Sequence, residues 1–229
     1  MSSPACPTCP LPTSPTMSQP PMSLDLAALL CSRICHDVIS PVGAINNGLE
    51  VLDEDDSGDM RDVAMDLIRK SARQASARLQ FARLAFGFAG SAGAAVDLND
   101  AERLARGYVE GDKTSLDWRI PAALVAKDRV KLLLVLIVLA LQAVPRGGSL
   151  RVWAAGAAEN GDLVVAATGS HARIPPGYEA LIAGTQIEPL DAHTVVPYYA
   201  GLLARSIGIS IRIAKDGDTV TFVAGERAA

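Results

Sequence analysis

Apolar residues recur at helical spacing from Ala27 to Leu52. Each lies three or four residues from another member of the set, which predicts one long amphipathic helix with a single apolar stripe. Ser23 stands where an N-cap is expected, and Pro41 is the one internal interruption. Because proline has no N–H, we expect the carbonyl of Asp37 to lose its intrahelical partner and the helix to bend or loosen there. The stripe consists of Ala27, Leu30, Cys31, Ile34, Val38, Val42, Ile45, Leu49 and Leu52.

A second helical pattern follows an acidic, glycine-containing stretch at residues 53–58. It begins at Asp59 and ends near Phe88, so the two helices are predicted to form an antiparallel hairpin. Two helices cannot enclose a core, and we therefore expect two chains to pair as a homodimer with a four-helix bundle. The alternative is a hairpin that packs only on the rest of its own chain. The apolar seam of the second helix consists of Val63, Leu67, Ala75, Leu79, Ala82 and Phe86.

After a linker rich in glycine and alanine at residues 87–93, the pattern changes to mixed helices and strands. A sheet covered by helices is predicted, so the fold class is α+β: a helical hairpin followed by an α/β sandwich. The domains are then residues 23–90 and 91–229, behind a tail at 1–22 rich in Pro, Ser and Thr that we expect to be disordered. The predicted helices cover residues 98–110, 128–144, 176–182 and 195–206, and the predicted strands cover 115–120, 150–155, 163–167, 209–213 and 219–223.

Charge and hydropathy restrict the classes of partner. The chain has 229 residues and a net charge of -4, which gives no general attraction to nucleic acid or to an anionic membrane. The apolar run Val130–Val144 is too short to span a bilayer and contains Lys131, so we expect a buried core helix. No secretory signal pattern opens the chain. We therefore expect a cytoplasmic protein that binds neither nucleic acid nor membrane.

Four cysteines suggest no metal site. Cys6 and Cys9 lie in the tail without a second ligand pair nearby. Cys31 and Cys35 are four residues apart on the first helix, but Cys35 and His36 diverge by about 100° and cannot easily share one ion. We expect Cys31 and Cys35 to be buried as small apolar residues. No metal or cofactor is predicted.

The candidate chemistry lies in the run Cys35-His36-Asp37-Val38-Ile39-Ser40-Pro41. His36 falls about 180° from the apolar stripe, so its side chain should face solvent. Imidazole is a nucleophile near neutral pH because its ordinary pKa is about 6.5. A partner that reaches His36 must cover the outward face of the helix, where we expect an exposed Leu29. The residues of that face are Leu29, Ser32, Arg33, Asp37, Ser40, Gly43 and Asn47.

The HDxxxP run in a helical hairpin, followed by an α/β unit with helix-PRGG-strand at 130–152, resembles the dimerisation and catalytic domains of sensor histidine kinases. In detail the chain is similar to the histidine phosphotransferases of alphaproteobacterial cell-cycle phosphorelays. The resemblance implies that His36 is the phosphoacceptor, that Asp37 orients or activates it, and that the α/β sandwich is of the Bergerat type. For Asp37 the alternative is a solvated helix charge. For Ser40, a role in dephosphorylation and a structural hydroxyl both stay open.

The chain departs from the kinase pattern in the nucleotide pocket. Val135 and Leu139 stand where kinases place two asparagines that hold magnesium, and Ala167 replaces the acidic residue that binds adenine. Residues 185–197 replace the glycine-rich lid and contain no GxG repeat. We therefore expect no functional ATP site. His171 and His193, which lie in this region, are expected to be structural or surface residues rather than second phosphoryl sites.

The resemblance implies a histidine phosphotransferase that moves phosphate through His36 between receiver-domain aspartates. It implies a CckA-type hybrid histidine kinase as donor and CtrA-type and CpdR-type response regulators as acceptors, with Mg²⁺ held by the partner receiver domain. Two alternatives stay open from the sequence. One is a divergent ATP-dependent sensor histidine kinase, and the other is a non-catalytic scaffold that binds receivers.

Overall fold

The computed structural model describes residues 23–54, 58–87, 94–109, 113–185 and 189–226. The predictions for the tail at 1–22, with Cys6 and Cys9, and for most of the linker at 87–93 lie outside these residues.

Two long helices form the predicted hairpin. Helix α1 covers Ser23–Glu54 and helix α2 covers Arg61–Ala85, which is shorter at both ends than the pattern predicts. The helices approach closely at Gly48, where an added Cβ would lie 2.7 Å from the side chain of Ile68. A glycine at this point therefore allows backbone contact between the two helices.

The α/β unit contains every helix and strand predicted after residue 94, with small changes of boundary. The elements are β1 Ala95–Asp97, α3 Leu98–Val109, β2 Thr114–Trp118, β3 Leu124–Ala126, α4 Lys127–Ala143, β4 Gly148–Ala155, β5 Asp162–Thr168, α5 Tyr178–Ala183, α6 Val195–Ser206, β6 Ser210–Asp216 and β7 Thr219–Gly225. The main sheet has five strands in the order β2-β4-β5-β7-β6, in which β2 and β4 are parallel and the other neighbours are antiparallel. A separate ribbon pairs β1 with β3, and the sequence pattern did not predict either of these three-residue strands.

Helix α4 is the centre of the core. All its side chains from Val130 to Ala140 are buried, which confirms the prediction of a core helix. It packs on one face of the sheet, where Leu150 and Phe222 are fully buried, while the alternate residue Arg151 is exposed on the other face. The unit is thus a two-layer α/β sandwich.

The hairpin packs partly on the α/β unit of the same chain, and the rest of its apolar surface stays exposed. Phe81 and Ala85 of α2 belong to the core of the α/β unit, and Leu26, Leu29 and Leu30 of α1 pack against it. Farther along, large apolar side chains stay exposed in the single chain. They include Val42, Leu49, Val63 and Leu67.

Helix α1 is also long and apolar enough to cross a membrane, with a mean hydropathy of 1.3 in its most apolar window. The sequence prediction considered only Val130–Val144 as a membrane segment and overlooked this helix. A core helix of a soluble protein passes the same test of length and composition, although little of this helix is buried in the single chain. The contacts of α1 with α2 and with the α/β core place it in the hairpin.

Candidate functional site

The imidazole of His36 is open to solvent on α1. Its side chain is 65% exposed, as the helical spacing predicts. The Oδ1 atom of Asp37 lies 3.6 Å from Nδ1 of His36. A carboxylate at this distance favours a proton on Nδ1, which leaves the lone pair on Nε2 available as a nucleophile.

The carboxylate of Asp37 links α1 to α3. Its side chain is only 15% exposed, and Nη2 of Arg33 lies 3.1 Å from its Oδ1. Tyr108 of α3 donates its hydroxyl to Oδ2 of Asp37 at 3.4 Å. Burial, reinforced by the negative charge of Asp37, raises the pKa of Tyr108 to about 12, so the phenol stays a donor at neutral pH. Asp37 therefore does not lie free in solvent on the surface of α1.

Tyr108 is held in turn by an aromatic stack. Its ring lies over that of Phe81, with ring centroids 4.0 Å apart and an angle of 18° between the planes. Phe81 is a fully buried residue of α2. The buried side chain of Phe81 thus holds in place the ring of Tyr108, whose hydroxyl reaches Asp37.

The backbone of Asp37 is also bound from another helix. Pro41 lacks an N–H, and the carbonyl of Asp37 accepts instead a 2.6 Å hydrogen bond from Nη1 of Arg78 in α2. Helix α1 continues through Pro41, which is buried. The helix is therefore not interrupted at Pro41, because a side chain from the neighbouring helix takes the place of the missing donor, while a bend at this point stays a prediction.

Part of the predicted outward face is turned toward the α/β unit. Leu29 is half-buried against the core, so the expectation that it is exposed was wrong. Arg33 and Asp37 lie on the same side of α1 and have side chains only 13% and 15% exposed. The error arose because the apolar stripe of α1 does not show which further face the α/β unit covers.

Other residues of the predicted face stay accessible. Ser32, Ser40 and Asn47 are exposed, and an added Cβ at Gly43 would meet no atom within 4 Å. The sequence prediction missed Ile39, whose side chain is 70% exposed three residues after His36. Its position three residues from the histidine was the signal that could have found it.

Cys31 and Cys35 also lie on exposed parts of α1. The prediction that both are buried was wrong for the single chain. Cys31 lies on the apolar stripe, and this part of the stripe is not covered by the same chain.

A second histidine lies beside His36. His193 comes from the loop before α6, and its ring centroid is 5.8 Å from that of His36, with the planes at 75°. Oδ1 of Asp191 accepts hydrogen bonds from the backbone N–H groups of His193 and Thr194, each at 2.8 Å. Hydrogen bonds from Thr194, joined by that from His193, hold the pKa of Asp191 below its usual range. The prediction placed His193 at the surface but did not bring it to the site.

His171 lies elsewhere. Its Nε2 atom is 2.6 Å from Nη1 of Arg146, and its side chain is exposed.

The residues at the predicted nucleotide positions are part of the core. Val135, Leu139 and Ala167 are each 0% exposed. Beside them in the chain, Gln142 accepts a hydrogen bond from the hydroxyl of Tyr178 in α5. None of the three buried side chains carries an oxygen or nitrogen for a cation or a base.

Comparison with known proteins identifies the family. The family described as "Histidine phosphotransferase C-terminal domain" matches residues 98–219. The chain is 49% identical over 203 residues to the protein phosphotransferase ChpT of Brucella abortus strain 2308, which covers 88% of this chain and 96% of that protein. The chain is a histidine phosphotransferase. The resemblance found in the sequence is thereby confirmed, and with it phosphoryl transfer in a phosphorelay as the activity of this family member.

One solved structure agrees with this family assignment. The 1.7 Å structure of a bacterial phosphotransferase matches this histidine phosphotransferase with a TM-score of 0.81 and 45% identity, over 91% of this chain and 100% of that one. The histidine kinase AdeS of Acinetobacter baumannii matches with a TM-score of 0.44 and 12% identity, over 82% of this chain and 95% of that one.

Proposed function

We propose that His36 carries the phosphoryl group. The observation that supports this assignment is an exposed imidazole with a held carboxylate 3.6 Å from its Nδ1. Nε2 attacks the phosphorus of a receiver aspartyl phosphate, so that a P–N bond forms as the P–O bond breaks and the receiver carboxylate leaves. The ring keeps its proton on Nδ1. The next receiver aspartate takes the phosphoryl group by the reverse exchange.

Asp37 orients the ring and stabilises its charge. Phosphorylation at Nε2 with Nδ1 protonated puts positive charge on the ring, and a carboxylate beside Nδ1 favours that state. Arg33 and Tyr108 hold this carboxylate in place. In this proposal Arg33 acts through Asp37 rather than as an exposed contact for a receiver.

The receiver domain docks on the open face of α1 around His36. Ile39 is the apolar contact of this face, and small or polar groups around it allow a close approach. The partners proposed from the resemblance are a CckA-type hybrid kinase and CtrA-type and CpdR-type response regulators, which bring Mg²⁺ in their own receiver domains. The remaining residues of the face are Ser32, Ser40, Gly43 and Asn47.

Two chains pair through the hairpins in this proposal. Leu49 and Val63 are 47% and 61% exposed in the single chain, and a second hairpin would cover such side chains. Residues 23–90 then form the dimerisation and transfer domain, and residues 91–229 form the α/β domain.

The α/β domain of this chain is proposed not to bind ATP. The support is the burial of Val135 and Leu139, whose side chains supply no ligand for magnesium. The phosphoryl group therefore comes from another protein.

The decisive experiment is incubation with a phosphorylated receiver domain. We expect the wild-type chain to become labelled, His36→Ala to stay unlabelled, and the matched control His171→Ala to be labelled like wild type, because both histidines are exposed. Labelling of His36→Ala would refute the proposal. Labelling by ATP alone would instead support the divergent kinase, and receiver binding without any transfer would support the scaffold.

A further inference from the structure

The α/β unit brings a second imidazole to the phosphorylation site. His193 is separated from His36 by most of the chain, yet their ring centroids lie 5.8 Å apart. The planes meet at 75°, so the edge of one ring approaches the face of the other. His36 remains 65% exposed beside it, which leaves room for a phosphoryl group and a docked receiver.

The position of His193 is fixed by its own backbone. Asp191 binds the N–H groups of His193 and Thr194 through one carboxylate oxygen. The Thr194 hydroxyl also donates to that oxygen, at 2.8 Å, and accepts from the backbone N–H of Asp191 at 2.9 Å. Helix α6 begins directly after this turn, at Val195. The loop therefore presents His193 from a rigid base rather than from a free segment.

The chemistry of the two rings is complementary once His36 is phosphorylated. A phosphoryl group on Nε2 has three acceptor oxygens, and an imidazole has at least one N–H to donate in either neutral tautomer. In the unphosphorylated state, the side chain of His193 makes no hydrogen bond among the described residues. Its donor is thus free for a group that appears only during transfer.

We propose that His193 donates a hydrogen bond to the phosphoryl group carried by His36, so that the α/β domain contributes a catalytic residue to phosphotransfer. This proposal rests on the assignment of His36 as the carrier. His193 neither gains nor loses a proton in the step. It stabilises the negative charge on the transferring oxygens, while Asp37 stabilises the ring on the opposite nitrogen.

The size of the effect follows from the exposure of the site. Loss of one preorganised donor in a water-excluded site costs about 100-fold to 1,000-fold in rate. Water competes at an exposed site, and the expected cost is therefore closer to about tenfold. The loss should appear in kcat because the contact forms with the phosphoryl group and not with the receiver surface.

The test compares three variants of the full chain in transfer from a phosphorylated receiver domain. His193→Ala removes the donor, His193→Gln keeps an N–H on a side chain of similar reach, and His171→Ala is the matched control at another exposed histidine. Rates are measured over a range of receiver concentrations to separate kcat from KM. Because His193 is exposed and contributes only its backbone N–H to the turn, the variants should unfold at the wild-type denaturant concentration.

We expect His193→Ala to lower kcat about tenfold with KM unchanged, His193→Gln to recover most of the loss, and His171→Ala to match wild type. Wild-type rates in His193→Ala would overturn the proposal, and so would a change confined to KM, which would indicate a docking role. An equal loss in His193→Ala and His193→Gln would also overturn it. A different result would overturn the assignment of His36 itself: either the wild-type chain takes no label, or His36→Ala is labelled.

Discussion

The hydrogen bond from Arg78 to the carbonyl of Asp37 predicts that Arg78 and Pro41 are energetically coupled. The bond is 2.6 Å long and joins a charged donor to an acceptor that proline leaves without its intrahelical partner. Hydrogen bonds to charged groups contribute about 1.5–3 kcal/mol, and an unsatisfied buried acceptor costs about 1–3 kcal/mol. Because the contact is only partly buried, we expect Arg78→Ala to lower the free energy of unfolding by about 2 kcal/mol.

Pro41→Ala restores the N–H that the Asp37 carbonyl lacks. In that background the carbonyl has an intrahelical partner, so Arg78→Ala should cost only the lost packing of its side chain. We therefore expect a coupling energy of about 1 kcal/mol between the two substitutions, within the range found for residues in contact. The effect of proline on the unfolded chain is the same in both backgrounds and cancels in the double-mutant cycle.

The assay is urea unfolding followed by far-ultraviolet circular dichroism, for the wild type, both single variants and the double variant. All four proteins are measured at one chain concentration, because association changes apparent stability. Arg73→Ala is the control, since Arg73 is exposed on the same helix and should change stability by no more than about 0.5 kcal/mol. The reasoning is refuted if Arg78→Ala lowers the free energy of unfolding by the same amount in the wild type and in the Pro41→Ala variant.

Two further predictions concern Tyr108 and the hairpin surface. The pKa of Tyr108 rises from 10.0 to about 12 on folding, so its contribution to stability is complete below pH 10 and is lost as the pH rises toward 12. Tyr108→Phe should therefore flatten the fall in the free energy of unfolding between about pH 10 and about pH 12. An unchanged slope in this variant would contradict the assignment. Leu49→Glu combined with Val63→Glu should give a monomer in sedimentation equilibrium, because both side chains are exposed in the single chain and charges there would oppose pairing. Leu124→Glu, at a residue 68% exposed on β3, is the matched control, and a dimer that survives the double substitution would argue against pairing through the hairpins.

The fold was largely predictable from local patterns. The period of three to four residues found α1, and the uninterrupted apolar run found α4, because each pattern reports directly which faces are buried. The ribbon of β1 and β3 was missed because three residues do not establish an alternation, and such strands are set by their pairing. The end of α2 near Ala85 depends on packing against the α/β core, which sequence spacing does not report.

The sequence predicted only the part of the site that lies on α1. The exposure of the imidazole of His36 followed from helical geometry, and the role of the neighbouring Asp37 followed from the family resemblance. The groups that hold Asp37 come from other helices, with Arg78 41 positions and Tyr108 71 positions later in the chain. No local pattern marks a residue for such contacts. The misplacement of Leu29 has the same cause, since its covering surface belongs to the α/β core.

Under the proposed function, these contacts give the α/β domain a role at His36 that needs no nucleotide. Tyr108 holds the carboxylate of Asp37, the core packs against Leu29, and the loop before α6 places His193 beside His36. These contacts hold α1 beside His36, while Ile39 and Ser40 stay exposed in the turn that follows. We propose that these exposed residues are left to the receiver domain. A domain that has only apolar side chains at Val135 and Leu139 can act in phosphotransfer under this proposal, because it would position and stabilise a phosphohistidine on the hairpin.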